Sequence, residues 1–251
     1  SDSRAEVEET GDLRICVKAE GRHHDERGLA LFDWVIRIYF YAGSPFVKAF
    51  YTFVNREQTP ETHLARVRLA THLEDPGQMI GLLDADWVRP VPSNSEKLRF
   101  QRFESEGFEK WEGGGNRKQF EVYEPCCFAQ FQEQSMYNPI YKGDKARPCG
   151  LYNAEGDLIV GSNFINGWAD ISNGTHGMGL AFLGGQHLPP KAFHLSPGEL
   201  QLDLITAEDN AFPINMGVAK THVLFFYFHA GTGREARVQS RMLGWIGFGM
   251  D

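Results

Sequence analysis

The sequence predicts an all-β protein: a large antiparallel β-sandwich, super-sandwich-like, with few or no helices. Three observations predict it. Apolar and polar residues alternate with a period of two, as in DLRICVKAEG at 12–21. Gly, Pro, Asn and Asp recur at short spacing between β-branched and aromatic runs. No repeat or low-complexity tract stands out, and nearly every convincing element reads as strand.

In 12–21, Leu13, Ile15 and Val17 face one way and Arg14, Cys16 and Lys18 the other. RHHDERG at 22–28 reads as a charged loop. LALFDWVIRIYFYAG at 29–43 holds a long strand, with Ile36, Ile38 and Phe40 on one face and Val35, Arg37, Tyr39 and Tyr41 on the other. AGSP turns the chain, and FVKAFYTFVN at 46–55 returns. Turns this short imply an antiparallel meander. THLARVRLATHLE at 62–74 fits an amphipathic helix or a strand; the alternation favours one strand, with Ala65, Val67, Leu69 and Leu73 inward and Arg66, Arg68 and His72 outward.

Between 76 and 150 the pattern weakens. RFQRFESEGFEKWEGGGNRKQFEVYEP reads as a hairpin pair around GGGN, and 135–150 as a long loop with aromatic and basic residues. Beyond it LYNAEGDLIVG, NGWADISNGTHGMGLAFLG and FHLSPGELQLDLIT each read as a hairpin. RVQSRMLGWIGFG at 237–249 is a strand or the start of a helix.

The chain has 251 residues and 19 Phe, enough for a sizeable core, and reads as one sandwich domain over 1–251. A net charge of −8 argues against a nucleic-acid partner. No apolar run reaches the roughly 18–20 residues of a membrane span. The N-terminal SDSRAEVEETGD is polar and acidic, unlike a signal peptide, and suits a mature chain or one excised from something longer. Cys16, Cys126, Cys127 and Cys149 fit no zinc pattern; free thiols and a bridge from Cys126 or Cys127 to Cys149 both remain open. A secreted or periplasmic location is favoured over a cytoplasmic one.

Nucleophile elbows, phosphate-cradling loops and HExxH are all missing. The chemistry-bearing candidates are polar residues on or beside strands. In GVAKTHVLFFYFHAG at 217–231, Lys220 and His222 stand at the mouth of an apolar run. They share a side with Leu224, Phe226 and Phe228, their Cα atoms about 6.6 Å apart. The pair either ends a core strand at the rim or lines a cleft. Arg37 can pair with Asp33 or a nearby Glu, or clamp a carboxylate with its planar fork. Arg66, Arg68 and His72 form a polar face, and His176 sits at a hairpin tip. Tyr137, Tyr141 and Trp168 either stack on sugar rings or cap the core. Asp170, Asp203 and Asp209 are available oxygen ligands, but their spacing matches no calcium loop, so no metal and no cofactor is expected.

Four segments carry a resemblance: VEETGDLRICVKAEG, FDWVIRIYFYAGSPFVKAFYTF, NGWADISNGTHGMGLAF and GVAKTHVLFFYFHAG. In order they resemble the central β-sandwich domain of the exo-rhamnogalacturonan lyase and YetA-like family. That family's pattern runs ExGxLR, YAGSP, GWxDxSxGxxG and GxAKTH. The resemblance spans roughly residues 6 to 235, and 76–150 matches poorly. It implies one domain of a longer multidomain lyase, its N-terminal barrel and C-terminal α/α toroid absent from this chain. It further implies β-elimination on an acidic, rhamnogalacturonan-like polysaccharide or oligosaccharide, with the toroid as partner in cis. Lys220 and His222 would then be catalytic, as carboxylate binder or proton shuttle, and Arg37, Arg66, His176, Tyr141 and Trp168 substrate-binding. Val223 stands where the family often has an acid after the His. The rival readings are a non-catalytic carbohydrate-binding sandwich and a structural interdomain module.

Overall fold

The computed structural model describes residues 3–25, 27–74, 80–86, 89–90, 118–123, 128–132, 150–152, 155–161, 164–183, 191–206 and 212–231. Among these there is no helix. The strands are β1 (Arg4–Thr10), β2 (Arg14–His24), β3 (Ala30–Tyr41), β4 (Phe46–Val54), β5 (Glu61–Leu64), β6 (Arg66–His72), β7 (Ile80–Asp86), β8 (Arg89–Pro90) and β9 (Lys118–Tyr123). They continue with β10 (Phe128–Gln132), β11 (Gly150–Tyr152), β12 (Leu158–Gly161), β13 (Phe164–Ser172), β14 (His176–Phe182), β15 (Lys191–Ser196), β16 (Glu199–Thr206), β17 (Phe212–Asn215) and β18 (Ala219–Ala230). A nine-stranded sheet runs β1-β2-β3-β4-β18-β14-β13-β7-β9, and a seven-stranded sheet runs β6-β16-β15-β10-β11-β12-β8. β17 and β5 form a separate pair.

The meander expected from residues 12–55 is β2-β3-β4, antiparallel throughout. Its AGSP turn has Gly43 at φ 68°, the left-handed region that favours glycine. The Ser44 N–H donates to the Tyr41 carbonyl at 3.2 Å, and the Phe46 N–H donates to Ser44 Oγ at 3.1 Å. β11–β12, β13–β14 and β15–β16 are the three expected hairpins.

Two local expectations are corrected, and one strand appears that the sequence reading did not place. Residues 62–74 are two strands rather than one: β5 pairs with β17, while β6 pairs with β16 in the seven-stranded sheet. The alternation runs on through Ala65 because period two encodes side-chain direction and not the partner strand. The acidic N-terminus is an edge strand, exposed along its length, pairing with β2. Its ion pairs Arg4–Glu20 and Glu6–Lys18 tie it down, and a charged edge discourages further pairing. The charged loop is shorter than expected, because β2 continues to His24. The turn itself is closed by Asp25, whose carboxylate accepts the N–H groups of Arg27 and Leu29. The GGGN turn, residues 135–149 of the expected long loop, Cys126, Cys127, Cys149 and the 237–249 run lie outside the described residues, and Gly150 begins β11.

The core fills the space between the two sheets. Ala49, Leu180, Phe182, Ala169, Ile171 and Leu224 come from the large sheet and Phe193, Leu195, Leu200, Leu202 and Leu204 from the small one. A second cluster, Phe32, Phe53, Leu64, Ile205 and Ile214, joins the β5–β17 pair to them. The opposite face of the large sheet carries a smaller cluster of Trp168, Ala181 and Tyr227 with Phe46 and Phe225. Both faces of β18 are therefore packed, as its run of apolar residues requires.

Leu202 is fully buried between the sheets. We expect Leu202→Ala to lower unfolding free energy by about 2–5 kcal/mol, read from the shift of a urea denaturation midpoint.

Candidate functional site

β18 is hydrogen-bonded to β4 on one side and β14 on the other, so the register fixes both its faces. Lys220 lies opposite Phe53 and His222 opposite Tyr51. Their side chains share one side of the sheet, as alternation requires. That side is the one Leu224 presents to the inter-sheet core. Of the two alternatives, the end of a core strand fits: His222 is 3% exposed, its ring stacked against Tyr51 and Phe53 with centroids 6.4 and 6.1 Å away, and Lys220 is half-buried where the strand begins. Alternation along one strand cannot say which face a second sheet will cover.

Sequence reasoning missed a third nitrogen. Lys191 begins β15 in the opposing sheet, on the same side as Phe193 and Leu195, and is 0% exposed. Its ammonium nitrogen donates to the Leu204 carbonyl at 2.6 Å. Burial drives Lys191 well below the usual lysine range, with Lys220 adding repulsion. Burial lowers Lys220 as well. Burial first, then the charges of Lys191 and Lys220, push His222 down to about 2. The His222 ring is neutral at any working pH. Its Nε2 is buried without a hydrogen-bond partner, a state that costs roughly 1–3 kcal/mol. Beside it the Tyr51 hydroxyl meets His23 Nε2 at 2.5 Å, and burial raises the Tyr51 phenol above its ordinary value.

The other face of the same strand is built by the GWADISNGTHG segment. Trp168, Asp170 and Ser172 alternate outward on β13, and His229 points to them from β18. His229 Nε2–H donates to Asp170 Oδ2 at 3.1 Å, and Nδ1–H donates to the Gly231 carbonyl at 3.1 Å. With both ring nitrogens donating, the ring is an imidazolium. Burial opposes that charge; the hydrogen bond and charge of Asp170, with the carbonyls of Gly231 and Ala230, outweigh it and raise the His229 pKa. Gly177 makes the pair possible. A Cβ there would stand 2.3 Å from His229 Cε1 and 2.6 Å from Ser172 Cβ. The signal for His229 was present in the sequence as a side-chain-free GMG facing a strand that ends in His, but it needs the β14–β18 register to be read.

The remaining candidates are scattered. Trp168 is 2% exposed and packs with Ala181 and Tyr227, so it caps the sheet rather than offering a stacking platform. Arg37 meets Glu8 of β1 twice, Nε to Oε2 at 2.7 Å and Nη2 to Oε1 at 2.9 Å. Its carboxylate fork is thereby occupied from within, and the Arg37 hydrogen bond lowers the Glu8 pKa. Arg66 lies on the outer face of the small sheet, 3.9 Å from Asp203. There Arg68 grips the fully buried Asp203 through Nε at 2.5 Å and Nη2 at 2.9 Å, and His194 Nε2 donates to it at 2.7 Å. Burial raises the Asp203 pKa; Arg68 and His194 outweigh it and hold the carboxyl below its ordinary value. His176 is exposed at its hairpin tip, near Asn173. Tyr137, Tyr141 and Asp209 lie outside the described residues. Asp170 and Asp203 are spent on His and Arg partners on different sheets, and no cluster suited to a metal ion occurs among the described residues. The structure thus joins Lys220 to His222, and leaves Arg37, Arg66 and His176 in three separate places.

Residues 2–74 match the family described as PcRGLX-like protein central beta sandwich domain. This agrees with the resemblance carried by the motifs of β2 to β4; the matched stretch ends before the Trp168 and Lys220 segments. No curated protein matches the chain. Among solved structures, the galactosidase domain of the alpha-galactosidase-sucrose kinase AgaSK is 9% identical, with a TM-score of 0.50, covering 96% of this chain and 28% of that one. A TPR-domain containing protein from Parabacteroides distasonis is 8% identical, TM-score 0.45, covering 90% of this chain and 34% of its own. The alpha-galactosidase from Lactobacillus brevis is 7% identical, TM-score 0.47, covering 98% and 28%. The chain therefore spans about a third of the length of the first solved chains it matches. The likeness to AgaSK shows a shared fold.

Two substitutions test the outer-face pair. Gly177→Ala drives a methyl into His229 and Ser172, and should cost about 1–3 kcal/mol in thermal or urea unfolding. Asp170→Asn leaves a buried imidazolium without its counter-charge, with a cost of about 3 kcal/mol. A raised histidine pKa contributes stability below the unfolded value, lost as pH rises through the folded one. The Asp170→Asn penalty should therefore be larger near about pH 6 than near about pH 9.

Proposed function

We propose that the chain is the central β-sandwich of a polysaccharide lyase that cleaves an acidic, uronate-containing polymer by β-elimination. The observation that supports this most is the match of residues 2–74 to the PcRGLX-like central beta sandwich domain, on a chain folded as a sandwich. The chemistry makes three demands. The uronate carboxylate must be neutralised so that the neighbouring C–H becomes acidic, a base must remove that proton, and an acid must protonate the departing glycosidic oxygen.

Within this reading we assign Lys220 and His222 to the first demand. A ring whose conjugate acid lies at about 2 is a poor base near neutral pH. A neutral ring N–H beside a lysine is instead a hydrogen-bond donor suited to a carboxylate. The proton-abstracting base then comes from outside this pair. A second reading, a non-catalytic sandwich that supports a neighbouring domain, is favoured by the burial of both His222 and Trp168.

The test is turnover of rhamnogalacturonan by the full-length enzyme. The lyase reading expects products bearing a new C=C bond, seen by their ultraviolet absorbance. Saturated, hydrolytic products would contradict it. It also expects His222→Ala to raise KM about tenfold or more, the loss of one charge-assisted hydrogen bond. The supporting-module reading expects kcat and KM both to stand unchanged.

A further inference from the structure

We propose that Asn173 is a self-modifying site: its side-chain amide cyclises onto the Gly174 backbone nitrogen, loses ammonia and hydrolyses to an aspartyl or isoaspartyl residue, assisted by the tip of the β13–β14 hairpin. The reacting atoms all belong to that turn, so the site is independent of what the chain acts upon.

Three observations carry it. First, Asn173 precedes Gly174, which is exposed, has φ 88° and would meet nothing within 4 Å of an added Cβ. Glycine is the residue that takes this conformation without strain, and it leaves its nitrogen unshielded by a side chain. Second, Asn173 Oδ1 accepts two backbone N–H groups, from Thr175 and from His176, each at 3.0 Å. Negative charge gathers on that oxygen when the carboxamide carbon is attacked, and two fixed donors aimed at it act as an oxyanion hole. Third, His176 Nε2 lies 3.4 Å from Asn173 Nδ2, the nitrogen that must leave. A ring N–H at that place supplies the proton the departing nitrogen needs.

The turn holds these groups together before any bond changes. The Asn173 N–H donates to the His176 carbonyl at 3.0 Å, and the Gly231 N–H donates to the Thr175 carbonyl at 2.6 Å. Nδ2 also donates to the Glu74 carbonyl at 3.4 Å, which with the donors on Oδ1 fixes which end of the carboxamide is oxygen. Prior alignment of nucleophile, oxyanion donors and proton donor makes the step intramolecular.

The Gly174 N–H gives its proton to hydroxide from solvent as its nitrogen bonds to Asn173 Cγ. The Cγ–Nδ2 bond breaks, His176 protonates Nδ2, and ammonia departs to leave a five-membered imide. Water adds to one imide carbonyl and the ring opens to a carboxylate. Water is the co-reactant, and nothing is oxidised or reduced. One opening restores the main chain and gives an aspartyl residue, whose carboxylate suits the same two N–H donors. The other inserts a methylene into the main chain beside the Ser172–Gly177 pair, next to the His229–Asp170 contact.

The experiment is incubation of the full chain near neutral pH, with conversion of amide to acid at each asparagine followed by peptide mass spectrometry. A bacterial host is used, because Asn173-Gly174-Thr175 also matches the N-glycan acceptor sequence. Asn166-Gly167, within β13, is the same dipeptide and serves as internal reference. We expect Asn173 to convert at least about tenfold faster in the folded chain than in the chain unfolded in guanidinium chloride. It should also convert before Asn166. His176 is exposed, so His176→Ala should stay folded by circular dichroism; it should slow conversion about tenfold, and added imidazole should restore part of the rate.

A folded rate no higher than the unfolded one overturns the proposal. So does conversion of Asn166 ahead of Asn173, or an unchanged rate in His176→Ala. A slowed His176→Ala that imidazole does not rescue removes the proton-transfer role given to His176.

Discussion

The register of β18 is the constraint on which the rest depends. It is held by β4 on one side and β14 on the other, and its two faces serve different purposes. Leu224 and His222 enter the inter-sheet core, while Tyr227 and His229 join Trp168 and Asp170 on the opposite face. Moving the strand by one residue would exchange these sets. It would put His229 against leucines and leave Asp170 without its imidazolium. Charge and packing thus select the same register.

The two histidines of this strand show what environment does to one side-chain type. His229 keeps its proton because Asp170 and a backbone carbonyl accept from both ring nitrogens, over a glycine that makes room. His222 loses its proton because aromatic rings and two lysines surround it. Elsewhere the cations are matched within the chain: Arg37 by Glu8, Arg68 by Asp203. Those matches explain why a residue suited to clamping a substrate carboxylate can instead serve as a tie between strands. Around His222 basic side chains come from both sheets, Lys191 from β15 and Lys220 from β18, with Lys191 donating to the Leu204 carbonyl.

Much of the fold was legible in the sequence, because the period-two pattern of β2, β3, β4 and the β13–β14 hairpin is strong and their turns are short. β1 escaped notice: an edge strand made of charges has no apolar face to betray it. The 62–74 run was read as one strand because alternation carries no information about where a strand changes partner. At the candidate site, the shared side of Lys220 and His222 followed from alternation, but whether that side faced solvent or core depended on the opposing sheet. Lys191, and the role of His229, needed the strand pairing before they could be read. Each meets its neighbours across strands distant in sequence, Lys191 from β15 and His229 by way of Gly177 and Asp170.

The central claim is that one strand holds a neutral histidine toward the core and a charged one on its other face. Proton–carbon NMR of the imidazole rings across a pH titration tests it directly. The account predicts that the His222 resonances stay those of a neutral ring down to the acid limit of the fold, while His229 remains protonated above the ordinary histidine value of about 6.5. A His222 that titrates near that ordinary value, or a His229 that is neutral below it, would contradict the account.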